Sequence, residues 1–150
     1  MNIKLMGAAV VALGLAFAAS MVSMAASHKA EEASEHKIVI QVSTDDPRTQ
    51  TIALNNAVNL QKHYGVDNIA IEIVAYGPGL NMLTTKSKSV ERITSLAQQD
   101  ITFSACGNTM AKMEAKSGKK PKLLEGVGKV AAGVAQIMEL QEKGYAYVRP

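Results

Sequence analysis

From residue 37 to the end of the chain, short runs rich in β-branched residues alternate with segments whose apolar residues recur at helical spacing. Ile38-Val39-Ile40-Gln41-Val42 is almost continuously apolar, as expected of a strand covered on both faces. It ends at Ser43-Thr44-Asp45-Asp46-Pro47, where an aspartate can cap a helix and Pro47 can take its first position. Residues 48–64 then place Ile52, Ala53, Ala57, Leu60 and Tyr64 on one helical face, with Gln50, Asn55, Asn59 and Lys62 opposite and Gly65 as terminator. Residues 69–75 form a second strand, broken sharply by Tyr76-Gly77-Pro78-Gly79, and one helical turn is expected over residues 80–83.

The alternation continues to the end of the chain. Ser89 is placed to cap a helix carrying Val90, Ile93, Leu96 and Ala97, and residues 101–105 make the third strand. A helix over residues 108–116 follows, with Met110 and Met113 on one side. Residues 127–130 give a short fourth strand diluted by Gly128. Residues 131–143 make a helix whose expected packed face is Val134, Ile137, Met138 and Gln141, stopped by Gly144, and residues 145–148 are the last strand. Such an order implies an α/β fold: a three-layer α/β/α, flavodoxin-like arrangement with a mainly parallel sheet of about five strands.

The first 26 residues stand outside this pattern. Lys4 precedes a long uncharged run of Ala, Val, Leu, Gly and Met, and Ser23-Met24-Ala25 offers the small residues of a signal-peptidase site. Residues 1–26 are therefore expected to be an export signal, or an uncleaved anchor given the length of the run. Either way the positive-inside rule puts the remainder across the membrane, in the periplasm. Residues 27–36 are polar and aperiodic and are expected to be a tether, with the domain over 37–150. A domain of that length suits a single core.

A net charge of +3 gives no indication of nucleic acid as a partner. Lysines 112, 116, 119, 120 and 122 cluster, but without interleaved aromatics and across Gly118 and Pro121, which points to a solvated loop. The single cysteine is more informative. In an oxidising compartment an unpaired thiol is a liability, so Cys106 is either buried and inert or present to react. It lies where Ile101-Thr102-Phe103-Ser104-Ala105 gives way to Gly107-Asn108-Thr109, at the carboxyl end of a strand and the start of a helix. In an open α/β sheet that edge binds ligands, and a helix N-terminus favours a thiolate.

Around it, Gly107 would allow close approach of a partner sulfur, and Asn108 and Thr109 are placed to cap the helix and to donate to a group on Cys106. Tyr76, Gly77, Pro78, Gly79 and Asn81 end the neighbouring strand, and form either one wall of a pocket or a stiff turn needed only for chain reversal. Neither a GxGxxG pattern nor a P-loop is present, and no cofactor is implied. His28 and His36 precede the fold proper and His63 ends its helix, which disfavours a Cys-His dyad. Cys106, Met82, Met110 and Met113 are soft ligands, yet a Met pair at helical spacing is ordinary core, and no metal site is assigned.

Residues 37–150 resemble the DsrE/DsrF-like family of sulfur-relay and sulfur-oxidation proteins. The resemblance is carried by Ala75-Tyr76-Gly77-Pro78-Gly79-Leu80, by Phe103-Ser104-Ala105-Cys106-Gly107-Asn108-Thr109 and by the ending Ile137-Met138-Glu139-Leu140-Gln141-Glu142-Lys143-Gly144-Tyr145-Ala146-Tyr147-Val148-Arg149-Pro150. It implies a compact domain that assembles into trimers or hexamers. It also implies that a cysteine after the third strand, here Cys106, carries sulfane sulfur as a persulfide between a donor and an acceptor, each a protein or a small sulfur compound. Members of the relay work in the cytoplasm, and this chain departs from them in its export signal. Two functions therefore stand: a sulfur carrier or sulfurtransferase acting through Cys106, and a non-catalytic ligand-binding or assembly module in which Cys106 only packs.

Overall fold

The computed structural model describes residues 34–150; the expected signal over 1–26 and most of the tether lie outside the described residues. The elements run His36–Val42 (β1), Pro47–Tyr64 (α1), a short 3-10 turn, Ile69–Ala75 (β2), a longer 3-10 segment Gly77–Leu83, Val90–Ala97 (α2), Ile101–Cys106 (β3), Gly107–Ser117 (α3), Val127–Val130 (β4), Gly133–Glu142 (α4) and Ala146–Val148 (β5). Among these helices none is long and apolar enough to cross a membrane. The first strand opens two residues earlier than expected, at His36, whose ring lies 4.0 Å from that of Tyr64 at the end of α1.

All five strands are parallel, in the order β4-β3-β2-β1-β5. From β1 to β4 the chain steps in one direction across the sheet, and right-handed crossovers put α1, α2 and α3 on one face. The return from β4 at one edge to β5 at the other reverses direction, so α4 crosses the opposite face. The two cores follow this division. Ile40, Ile73 and Phe103 face Leu54, Ile93 and Met110, whereas Val39 and Val74 face Ile137, Leu140 and Tyr145. Ile40, Ile73 and Phe103 are fully buried, each contributing about 1.5–3 kcal/mol of hydrophobic stabilisation.

Two helical faces differ from expectation. In α1 the buried stripe is Ala53, Leu54, Ala57 and Gln61, while Ile52 and Tyr64 are exposed. In α4 the stripe is Gly133, Ile137 and Leu140, and Val134 and Met138 are each 62% exposed. The cause lies at the start of α4: Ala132 is extended (φ −141°, ψ 124°), and Gly133 presses against Tyr76 and Cys106, which turns the 133/137/140 stripe onto the sheet. In α1 the expected Asp46 cap is present, accepting from the Thr49 amide at 2.7 Å with Pro47 in the first turn.

Candidate functional site

Cys106 is the last residue of β3 and the N-cap of α3, with β-region backbone (φ −69°, ψ 116°). No side-chain hydrogen bond caps α3, so the expected capping by Asn108 or Thr109 is not made. The amides of the first turn lie close enough to the thiol that those of Thr109 and Asn108 favour its ionised form. Asn108 N–H is shared with the Ala131 carbonyl at 3.2 Å, and its contribution is the smallest.

A third amide comes from the other side of the sheet. Gly133, in the first turn of α4, places its N–H near the same sulfur and also favours the thiolate. Its lack of a side chain permits this approach: a Cβ there would lie 3.1 Å from Tyr76 Cδ1 and 3.3 Å from Cys106 Cβ. Cys106 thus sits between the N-termini of two helices that pack on opposite sheet faces, each of which favours negative charge. Burial pushes the thiol upward in pKa; the Thr109 hydroxyl and the amides of Gly133, Thr109 and Asn108 outweigh it, and the net displacement is below the ordinary value. The sulfur is therefore biased towards its nucleophilic form.

Thr109 ties this site to the neighbouring segment. Its Oγ1 accepts from the Gly77 amide at 3.0 Å, and its hydroxyl is the strongest influence lowering the pKa of the Cys106 thiol. Between that segment and α3 lies an open cleft of about 430 Å³. Tyr76, Gly77, Pro78 and Asn81 form one wall, and Thr109, Lys112, Met113 and Lys116 the other. Cys106, 5% exposed, is not part of the lining.

Of the binding residues expected around Cys106, five line the cleft: Tyr76, Gly77, Pro78, Asn81 and Thr109. Gly79 does not; it is buried, and a Cβ there would overlap the Val42 backbone, so its role is close packing of the turn against the end of β1. Gly107 starts α3 under the Lys129 side chain, its would-be Cβ 3.0 Å from Lys129 Cε and from the Val130 carbonyl, and its amide is not among the donors to the thiol. Met82 and Met110 are buried in the core, Met113 is half-buried in the cleft wall, and among the described residues no group of three or more His, Cys, Asp or Glu can hold a metal.

Sequence reasoning did not single out Gly133, nor Lys112 and Lys116 as cleft residues. It also missed Glu72, buried on β2, whose Oε1 accepts from Ser104 Oγ at 2.6 Å and from Gln136 Nε2 at 2.9 Å. This link fastens α4 to the sheet one turn beyond Gly133. The available signals were an acid inside an apolar strand, as in Ile71-Glu72-Ile73, and the small-residue run Ala131-Ala132-Gly133.

Comparison with known proteins agrees with this architecture. No curated protein matches the chain. A solved structure from Methanobacterium thermoautotrophicum, described as a protein of unknown function, is 32% identical and superposes with a TM-score of 0.69, covering 77% of this chain and 99% of its own. The model of the DsrE/DsrF-like family matches residues 36–150, a span that takes in all five strands and both helix N-termini at Cys106, and the chain belongs to that family.

Proposed function

We propose that this protein is a sulfur carrier that holds sulfane sulfur as a persulfide on Cys106, acts after export to the periplasm, and assembles as a homotrimer or hexamer. The observation that carries the reading is the placement of Cys106 at the start of α3 and against the first turn of α4, where the Thr109 hydroxyl and three backbone amides favour its ionised form. That arrangement stabilises the attacking thiolate, and equally the anionic persulfide that replaces it.

The transfer is balanced without an external redox partner. The Cys106 thiolate attacks the outer sulfur of a donor persulfide, the Sγ–S bond forms, the donor S–S bond breaks, and the donor leaves as a thiolate with the bonding pair. The new terminal sulfur stands about 2.05 Å from Sγ. A second transfer to an acceptor thiolate reverses these steps and regenerates Cys106.

Intact-protein mass spectrometry after anaerobic incubation with a sulfane-sulfur donor tests the reading. The expected result is the addition of one sulfur atom to the parent chain and none to Cys106→Ser; the absence of an adduct with several donors rejects it. The low exposure of Cys106 favours a second reading, a ligand-binding or assembly module in which the residue only packs. That reading predicts slow thiol labelling at neutral pH in the native state, and rapid labelling excludes it.

A further inference from the structure

Lys112 and Lys116 are one turn apart on α3, both exposed, and both line the cleft together with Thr109. Residues at this spacing are neighbours on a helix surface, so the two ammonium groups repel each other. The cleft lining contains no Asp or Glu to offset them, and among the described residues neither lysine has a carboxylate partner. The remaining lining adds donors and a soft surface: the Asn81 amide, the Thr109 hydroxyl and the Met113 thioether. Thr109 is three residues from Cys106 on the first turn of α3 and its hydroxyl favours the thiolate, so a molecule held against it lies close to the thiol.

We propose that this cleft is the entry subsite for a small anion bearing sulfane sulfur, of which thiosulfate is the simplest, with Lys112 and Lys116 holding its oxyanion end. The proposal rests on the persulfide reading of Cys106 and names its substrate class. In the resulting step the thiolate attacks the sulfane sulfur, Sγ–S forms, S–SO3 breaks, and sulfite leaves with the bonding pair. Charge is conserved, because thiolate plus thiosulfate become a persulfide anion plus sulfite. The lysines then face the charge of the departing oxyanion, and the amides of Asn108, Thr109 and Gly133 face the sulfur.

The test uses the full chain and two aromatic disulfides, the dianionic 5,5′-dithiobis(2-nitrobenzoate) and the neutral 2,2′-dithiodipyridine, as probes of access to Cys106. In the Lys112→Gln/Lys116→Gln variant the labelling rate with the dianion is expected to fall by about tenfold, and the rate with the neutral reagent to stay unchanged. Added salt should slow the dianion in the parent and not in the variant. Thiosulfate should protect the parent from the dianion and leave the variant unprotected. An equal change with both reagents, or no change with either, overturns the subsite. Its failure is separable from failure of the carrier reading: persulfide formation independent of both lysines rejects the subsite alone, and lysine-dependent anion selectivity without persulfide formation rejects the carrier alone.

Discussion

At the scale of single residues, the thiol of Cys106 is governed by a contest between burial and donors, and the donors win. Alkylation rate measured against pH should therefore show a midpoint below the ordinary thiol value of about 8.5. Thr109→Val removes the strongest of the opposing donors, the hydroxyl, and should move that midpoint upward. The sign carries over to stability. A depressed folded pKa makes the thiolate contribution fully present above the unfolded value and loses it as pH falls through the folded one. The stability advantage of the parent over Cys106→Ala should accordingly grow as pH rises towards about 8.5 in urea titrations at stepped pH. Gly79 supplies a purely steric counterpart. Its would-be Cβ lies 2.7 Å from the Val42 carbonyl carbon, and Gly79→Ala should cost about 1–3 kcal/mol in the same titrations, with little effect on thiol midpoint.

Among the elements, α4 has the largest influence on the site, although only its first turn touches the sulfur. Its position is set by Gly133 against Tyr76 and Cys106, by Ile137 and Leu140 on the sheet, and by Gln136 donating to buried Glu72. Gln136→Leu removes that donor and should cost about 1–3 kcal/mol. Because it loosens α4 one turn from the Gly133 amide, it should also raise the thiol midpoint, a change that simple destabilisation elsewhere in the fold would not produce. The order of strands and helices was legible because β-branched runs such as Ile38-Val39-Ile40 and periodic segments such as Val90, Ile93 and Leu96 encode their period locally. The position of Cys106 at a strand end was legible for the same reason. The facing stripe of α4 was not, because Val134 and Met138 are as apolar as Ile137 and Leu140; which pair turns inward is decided by the contact of Gly133 with residues 57 and 27 positions away in sequence. The third amide on the thiol was hidden by the same distance, as was the placement of Lys112 and Lys116 beside a turn ending in Leu83.

For the whole molecule, the asymmetry of the layers is the feature with consequences. Among the described residues three helices cover one face of the sheet and α4 alone crosses the other, leaving Thr102 on β3 exposed and Tyr147 on β5 42% exposed on that second face. On the outer side of α4, Val134 and Met138 project into solvent one turn apart and form an adjacent apolar pair. A second copy seated over α4 would remove this surface from water, consistent with the proposed trimer or hexamer. A stable interface of that kind needs about 1,200–2,000 Å² of buried area, to which two such side chains contribute only part, so α4 would form its centre and the exposed strand ends its rim. Placing a charge at that centre is costly, since it must be desolvated without a partner. Light scattering on Val134→Glu and Met138→Glu should therefore show a monomer where the parent is an oligomer, while the pH midpoint of Cys106 labelling stays in place because neither side chain faces the thiol. An unchanged molar mass in both variants would move the interface elsewhere on the surface, and a monomeric parent would remove assembly from the function.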